Sequence, residues 1–500
     1  MPNDRIPPHI FRAYDIRGLS QGAADDEITP STAGLIGRAL GAYLHELSPP
    51  DVSRRRLRVA VGRDNRPTSE VLCEALSDGL RTAGADVSLL GLAPSPLTYF
   101  TIYDGGFDGG VSVTASHNPI EFNGFKLLRE EAMPLLPDEI VRVQAIAQSI
   151  AEAGALAEAA PAEQGAVDTI APYDTYIEML RERFTLARPL RIVVDPGNGV
   201  AALSGPRALE ALGADVIGLY TELIPGYPNH MPNPQDASTM VELAARVVSE
   251  CADLGFAWDG DGDRIGVVDE QGVRYEADWT TALIARGVLT RHPGARILCD
   301  MKTSRSPLED IRAHGGVPVL ARTGYSMFRR QMRDEQIVFG GEVSGHLMFG
   351  EDYPYLDDGV YAACTIAKLV AAAGKPLSAH FQGMRRLVTS PELTLPCTDH
   401  DKFRVADALA ARFRDDYQVS EIDGARIEFP DGWAHVRASN TTPHLSVRIE
   451  AETLERFTEI RDTVFDALRQ HDSVRIPDGA GEPTNFNRKN PLSLVFFEGP

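Results

Sequence analysis

The sequence predicts an α/β protein: three tandem α/β domains of related βαβ topology, followed by a smaller α+β domain. Two observations carry that expectation. A strand, loop, helix, glycine turn, strand pattern occurs three times, and it stops near residue 390. At 500 residues the chain also exceeds what one hydrophobic core ordinarily fills. Apolar residues make up 43% and charged residues 24%, an ordinary globular balance.

The first copy is LRVAVGRDNRP (57 to 67), a helical stretch, then AGADVSLLGL (83 to 92). The second runs from LRIVVDPGNG (190 to 199) to LGADVIGLY (212 to 220), and the third from ARILCDMKTS (295 to 304) to HGGVPVLAR (314 to 322). Such an order needs parallel strands joined by right-handed crossovers, with ligands bound beyond the carboxyl ends of the strands. Past residue 390, GWAHVRASNTTPHLSVRIEAE reads as two strands joined by a polar loop, and TLERFTEIRDTVFDALRQH as a helix. The expected domains are 1–155, 165–272, 273–388 and 389–475, with a tail at 476–500. Joints are expected in the alanine-rich stretch Ala145 to Ala166, near Gly272 to Asp278, and around Leu387 to Pro396.

The formal net charge of −22 disfavours general nucleic-acid binding, while a small anion remains possible where a few cations converge. Cys73, Cys251, Cys299, Cys364 and Cys397 show no metal or disulfide spacing and are expected to fill core space. The amino terminus, with its charges and three prolines, does not read as a signal peptide, and no apolar run approaches a membrane span. A cytoplasmic protein is expected, with no membrane partner.

The sharpest motif is WDGDGDRIGVVDE (258 to 270). Asp259, Asp261 and Asp263 repel one another unless a hard cation sits among them, which implies magnesium or calcium. An EF-hand would need glycine where Arg264 stands, and a helix where Ile265, Val267 and Val268 predict a strand. In GVSVTASHNPIEFNGFKLL (110 to 128) a strand runs into a turn forced by Asn118 and Pro119, so Ser116 is expected at the strand end with its hydroxyl exposed. Alone, Ser-His-Asn-Pro is a common turn. Beside a metal site, Ser116 could be a nucleophile that carries phosphate. No GxxxxGK[ST] loop is present, so a P-loop nucleotide triphosphate enzyme is excluded.

Two further loops complete the set. GGEVSGH (340 to 346) offers Glu342, Ser344 and His346, polar ends suited to sugar hydroxyls. RASNTTP (437 to 443) offers Arg437, Ser439, Asn440 and Thr441, suited to a phosphate dianion.

These four loops, in order and together with FRAYDIRG (11 to 18), resemble the α-D-phosphohexomutase superfamily, most closely its bacterial phosphomannomutase/phosphoglucomutase branch, over about residues 7 to 470. The resemblance implies four domains around a deep central cleft, each contributing one loop. It implies that Ser116 is the phosphoserine, and that Asp259, Asp261 and Asp263 bind Mg²⁺ together with a phosphate oxygen on Ser116. Arg17, Lys126, Arg264 and His346 would take catalytic roles, with Arg17, Lys126 and His346 favoured for proton transfer or charge stabilisation. Tyr14, Lys302, Thr323, Gly324, Tyr325, Glu342, Val343, Ser344, Gly345, Arg437, Ala438, Ser439, Asn440 and Thr441 would bind substrate. The implied reaction interconverts hexose 6-phosphate and 1-phosphate through a hexose 1,6-bisphosphate, which also serves as activator, in a monomer whose partner is the sugar phosphate.

Two departures stand out. Relatives carry Thr-Gly-His where this chain has Thr323, Gly324 and Tyr325, and a phenol with an ordinary pKa of about 10 cannot replace an imidazole in proton transfer. The second is the tail from residue 476. GEVSGH in place of the GEQSGH of aminosugar mutases favours a plain hexose, mannose or glucose, over glucosamine. A phosphoglucosamine mutase, a magnesium-dependent phosphatase and a non-catalytic sugar-phosphate binder are the competing readings.

Overall fold

A computed structural model describes residues 6–23, 25–47, 55–153, 164–351, 353–439, 443–477 and 480–483. The chain divides into two compact units. Unit 1 comprises Met1–Ala277, Gly324–Phe339 and Ser344–His380, and unit 2 comprises Asp278–Thr323, Gly340–Val343 and Phe381–Pro500.

In unit 1 the first sheet is built from β1 (Ile16–Leu19), β2 (Arg58–Arg63), β3 (Asp86–Leu92), β4 (Gly109–Val113), β5 (Phe122–Arg129) and β6 (Val167–Thr169), in the order β1-β5-β4-β2-β3-β6. The second contains β7 (Arg191–Asp195), β8 (Asp215–Gly218), β9 (Leu254–Trp258), β10 (Ile265–Asp269) and β11 (Arg274–Tyr275), in the order β11-β10-β9-β7-β8. The expected βαβ units are β2 with β3 and β7 with β8, both pairs parallel. Central strands such as β4 and β9 are buried along their whole length, and β9 accordingly reads as a continuous apolar run rather than an alternating one. Val59, Val61, Val111, Val113 and Phe125 pack the first core with Leu40 and Leu76 from the helices Pro30–Leu47 and Ser69–Thr82.

The sheets are not wholly parallel. β4 pairs antiparallel with β5, and β9 antiparallel with β10. The Ser116 motif and the aspartate motif are the loops of these two hairpins, at the same topological position in each copy of the repeat. β10 also confirms a strand where an EF-hand would need a helix. Elsewhere in unit 1, strands Leu347–Phe349 and Leu356–Asp357 form an antiparallel pair.

In unit 2, Arg296–Asp300 and Val317–Ala321 pair in parallel as the third repeat predicts. The carboxyl-terminal sheet runs Val388–Thr389, His444–Ala451, Gly432–Ala438, Ala425–Phe429, Gln418–Ser420, with Leu393–Pro396 also on His444–Ala451. Strand Gly432–Ala438 alternates strictly. Ala434, Val436 and Ala438 join a core with Leu409, Phe457 and Val464, which leaves Trp433, His435 and Arg437 to the opposite face.

Four cysteines are buried as expected, whereas Cys251 is exposed, because it occupies a left-handed turn (φ 51°) after the helix Val241–Ser249. Asn440, Thr441 and most of the tail lie outside the described residues.

Candidate active site

In unit 1 the two hairpin loops meet. Ser116 adopts φ 52°, and its N–H donates to Thr114 Oγ1 at 2.8 Å. Contrary to the sequence expectation, Ser116 is only 1% exposed. The reason is the aspartate loop: Ser116 Oγ donates to Asp259 Oδ2 at 2.5 Å, and Gly260 passes so close that a Cβ there would lie 2.5 Å from Ser116 O. Only a residue without a side chain permits that approach.

Asp259, Asp261 and Asp263 are each fully buried, and one carboxylate oxygen from each lies within 4.8 Å of the others. Lys126, reaching from β5, places Nζ 2.6 Å from Asp261 Oδ2 and also pairs with Asp263 Oδ2. Ser95 adds its Oγ to Asp261 Oδ2 at 2.5 Å and its N–H to Asp261 O. One ammonium does not neutralise three carboxylates. Burial, then Asp261 and Asp263, push Asp259 up to about 8. Burial opposes ionisation of Asp261 too, but Lys126 outweighs it and lowers that carboxyl, while the Lys126 ammonium is itself held well above its ordinary pKa.

Asp261 Oδ1 and Asp263 Oδ1 are buried acceptors with no hydrogen-bond donor among the described residues. Orphaned, converging carboxylate oxygens are the donor set a hard divalent cation takes, so this triad could hold a metal.

Around the serine, Arg17 donates from Nε to Asp15 Oδ2 (2.7 Å) and from Nη1 to Asn118 Oδ1 (2.7 Å) and Ala115 O (3.1 Å). His117 Nδ1 is 3.1 Å from Ser116 Oγ, and burial followed by Arg264 keeps that imidazole neutral. Arg264 donates from Nη1 to Gln235 and from Nε to His346 Nε2 at 3.1 Å. Ser344 Oγ is buried without a hydrogen-bond partner among the described residues. Gly345 adopts φ 93°. Tyr325 stacks on His346 (centroids 6.0 Å apart, planes at 21°) and meets Tyr14 edge-on at 5.4 Å. Its phenol donates to Tyr14 O at 3.4 Å, and burial raises its pKa further. Gly324 is required at φ 130°, where a Cβ would lie 3.0 Å from the Tyr14 ring.

The remaining site residues belong to unit 2. Lys302 Nζ donates to Glu392 Oε2 at 2.7 Å, and Ser446 Oγ to Glu392 Oε1 at 2.5 Å. Burial opposes the charge on Glu392, but Lys302 and Ser446 pull it down to about 2. Asp300 accepts the Lys302 N–H through Oδ1 and the Val343 N–H through Oδ2, so it ties two loops together. Glu342 is buried, 1% exposed. Arg437 Nε lies 2.9 Å from Asp423 Oδ2, the same oxygen that accepts the Thr323 N–H at 3.1 Å. Ala438 faces the core, and the Ser439 N–H donates to His444 O.

Sequence reasoning missed several members. Arg66, in the GRDNRP loop of the first repeat, is buried and donates to the carbonyls of Ser116, Asn118, Pro119 and Phe122, which fixes the serine loop. Nothing in a lone arginine distinguishes that role from a surface one. Ser95, Asp357, Glu392 and Asp423 were equally silent, because each acts through a partner distant in sequence, and His117 was silent because a histidine beside a serine in a turn is commonplace.

Four consecutive family descriptions match the chain: phosphoglucomutase/phosphomannomutase α/β/α domain I over residues 8–154, domain II over 174–272, domain III over 276–387, and the C-terminal domain over 392–467. The chain is 36% identical over 469 residues to the phosphomannomutase/phosphoglucomutase of Pseudomonas aeruginosa, covering 94% of this chain and 97% of that one. It is 33% identical over 460 residues to the phosphoglucomutase of Neisseria gonorrhoeae, covering 91% and 96%. A crystal structure of a phosphoglucomutase/phosphomannomutase family protein from Burkholderia thailandensis superposes with a TM-score of 0.83 at 33% identity, covering 96% of this chain and 99% of that one. Fold and site together define a phosphohexomutase-class enzyme. The chain belongs to the phosphoglucomutase/phosphomannomutase family.

Proposed function

We propose that this enzyme interconverts hexose 6-phosphate and hexose 1-phosphate, with mannose or glucose as the hexose, through a phosphoserine at Ser116 and a hexose 1,6-bisphosphate. The observation that carries this reading is the 2.5 Å bond from Ser116 Oγ to Asp259 Oδ2, inside a triad with two orphaned carboxylate oxygens. A serine hydroxyl can donate to Asp259. A phosphoserine dianion cannot, so a phosphorylated Ser116 in this pocket needs a cation beside it.

Asp259, Asp261 and Asp263 would hold Mg²⁺, which would offset negative charge on the phosphoryl group. Burial opposes the charge on Arg17, but Asp15 and Asp261 raise its pKa; it and Lys126 therefore stay cationic and serve charge stabilisation rather than proton transfer. His346 is then the group able to take the proton of the attacking sugar hydroxyl, at Nε2, once Arg264 turns to the phosphoryl oxygens. Ser344, Glu342 and His346 would read hydroxyls. Lys302 and Arg437, with Ser439, Asn440 and Thr441, would bind the phosphate that does not react.

A coupled assay with Mg²⁺ and a trace of glucose 1,6-bisphosphate, offering mannose 1-phosphate, glucose 1-phosphate and glucosamine 1-phosphate, tests the substrate class. The first two should turn over and the third should lag. Ser116→Ala should fold normally and lose bisphosphate-dependent turnover; wild-type rates in that variant would remove the phosphoserine.

A further inference from the structure

The mechanism does not use the buried pair of Asp357 and Arg329 in unit 1. Asp357 closes the strand Leu356–Asp357 opposite Met348, and it is fully buried. Its Oδ1 lies 3.5 Å from Nη1 of Arg329, which is equally buried on the helix Tyr325–Asp334. Arg329 is itself pinned, donating from Nη2 to Ala132 O at 2.7 Å with its guanidinium over the Tyr99 ring at 5.4 Å. The other oxygen, Asp357 Oδ2, lies 3.1 Å from His346 Nδ1. The two atoms are within ion-pair distance, and neither has a hydrogen-bond partner among the described residues.

The opposite edge of the imidazole decides where its proton sits. Arg264 Nε is 3.1 Å from His346 Nε2, and a guanidinium can only donate. Nε2 must therefore present its lone pair, and the ring proton is on Nδ1, facing Asp357. Asp263 Oδ1 is farther away, 3.7 Å from the same nitrogen. Asp263, His346 and Asp357 are spaced as metal ligands could be, but the tautomer that Arg264 imposes leaves Nδ1 without a lone pair for a metal. Tyr325, stacked on the ring face, leaves rotation within the ring plane as the freedom still to be fixed.

We propose that Asp357, anchored by Arg329, is a positioning residue for phosphoryl transfer: it holds His346 in the Nδ1–H tautomer and so keeps Nε2 open as the atom that accepts the substrate proton. This rests on the role given to His346 above. A carboxylate that orients an imidazole in this way acts through it and never touches the substrate. An asparagine at 357 keeps the size but offers an N–H of its own, which would favour the wrong tautomer.

The test is steady-state kinetics on the full-length enzyme with Mg²⁺ and glucose 1,6-bisphosphate. General acid–base catalysis contributes about 10²–10⁴-fold, so Asp357→Asn should lower kcat by roughly 100-fold while changing KM by less than about threefold. His346→Gln should lower kcat at least as far, and adding Asp357→Asn to it should cost nothing more. Arg329→Lys, which cannot reach Ala132 and Asp357 together, should lower kcat by about tenfold, again only when His346 is present. An unchanged kcat in Asp357→Asn, or equal further losses in the His346→Gln background, would overturn the positioning role while leaving His346 in place. An unchanged kcat in His346→Gln would remove His346 from proton transfer, and Asp357 with it. Should Asp357→Asn fail to fold, the Arg329→Lys series decides on the same criteria.

Discussion

Lys126→Met separates what the ammonium does for the aspartate triad from what a metal does. Lys126 lies 2.6 Å from Asp261 and pairs with Asp263, and all three groups are buried. Removing one partner of a buried ion pair costs about 3–5 kcal/mol, because the remaining charge is uncompensated. For domains of this size each kcal/mol moves Tm by about 2–4 °C, so the variant should melt roughly 6–20 °C lower in EDTA. Magnesium should reverse most of that loss. A cation bound at 100 times its Kd adds about 2.7 kcal/mol to either protein, and more to the variant, whose site no longer contains a competing ammonium. Thermal melts of both proteins in EDTA and in saturating MgCl₂ read this directly: the wild type should gain a few degrees and the variant far more. An identical deficit with and without Mg²⁺ would refute the reasoning, since the loss would then be one of packing and the triad would not be the metal's receptor. Turnover of the variant should stay low even when it is folded, because Lys126 is also assigned to charge stabilisation.

Three other outcomes follow from unit 2 and from the aromatic stack. Asp423→Asn should raise KM for the sugar phosphate by about 10- to 150-fold with little change in kcat, from loss of a charge-assisted contact of about 1.5–3 kcal/mol to Arg437; a lower KM would show that Asp423 competes with phosphate. His435 is buried, with its ring N–H donating to Asp423 O at 2.6 Å, and burial lowers it to about 4. Since the unfolded value is about 6.5, its contribution is intact above that pH and disappears as the pH falls to about 4, worth up to about 3 kcal/mol. Denaturation curves of His435→Gln should show a correspondingly weaker loss between those pH values, and parallel curves would contradict it. Tyr325→Phe should leave stability within about 1 kcal/mol, since its hydrogen bond at 3.4 Å is long. The ratio of mannose to glucose kcat/KM should also hold; a shifted ratio would show that the phenol reads the sugar.

The repeats were legible because burial forces strands such as Val59 to Val61 and Ile192 to Val194 into short apolar runs, and glycine turns punctuate them. Ser116 and the three aspartates were legible because stacked acids and an Asn-Pro turn are locally unusual. The antiparallel hairpins were not, because a fully buried strand reads alike whichever way it runs. Nor was the burial of Ser116, which depends on Gly260 approaching from another sheet. Asp357, Asp423, Glu392 and Arg66 escaped for one reason: an ordinary charged residue becomes a site residue only through a partner that sequence spacing does not reveal.

The two hairpins also bear on how this molecule can vary. The last paired residues before each tip are Val113 with Phe125 and Trp258 with Ile265. Adding or deleting one residue in any of these four strands would slide a tip by about 3.4 Å and turn every following side chain to the other face. Ser116 would then miss Asp259 altogether. Change within these strands is therefore confined to substitution, and variation in length among related chains should collect at the opposite ends of the hairpins, such as the turn between Asp269 and Arg274.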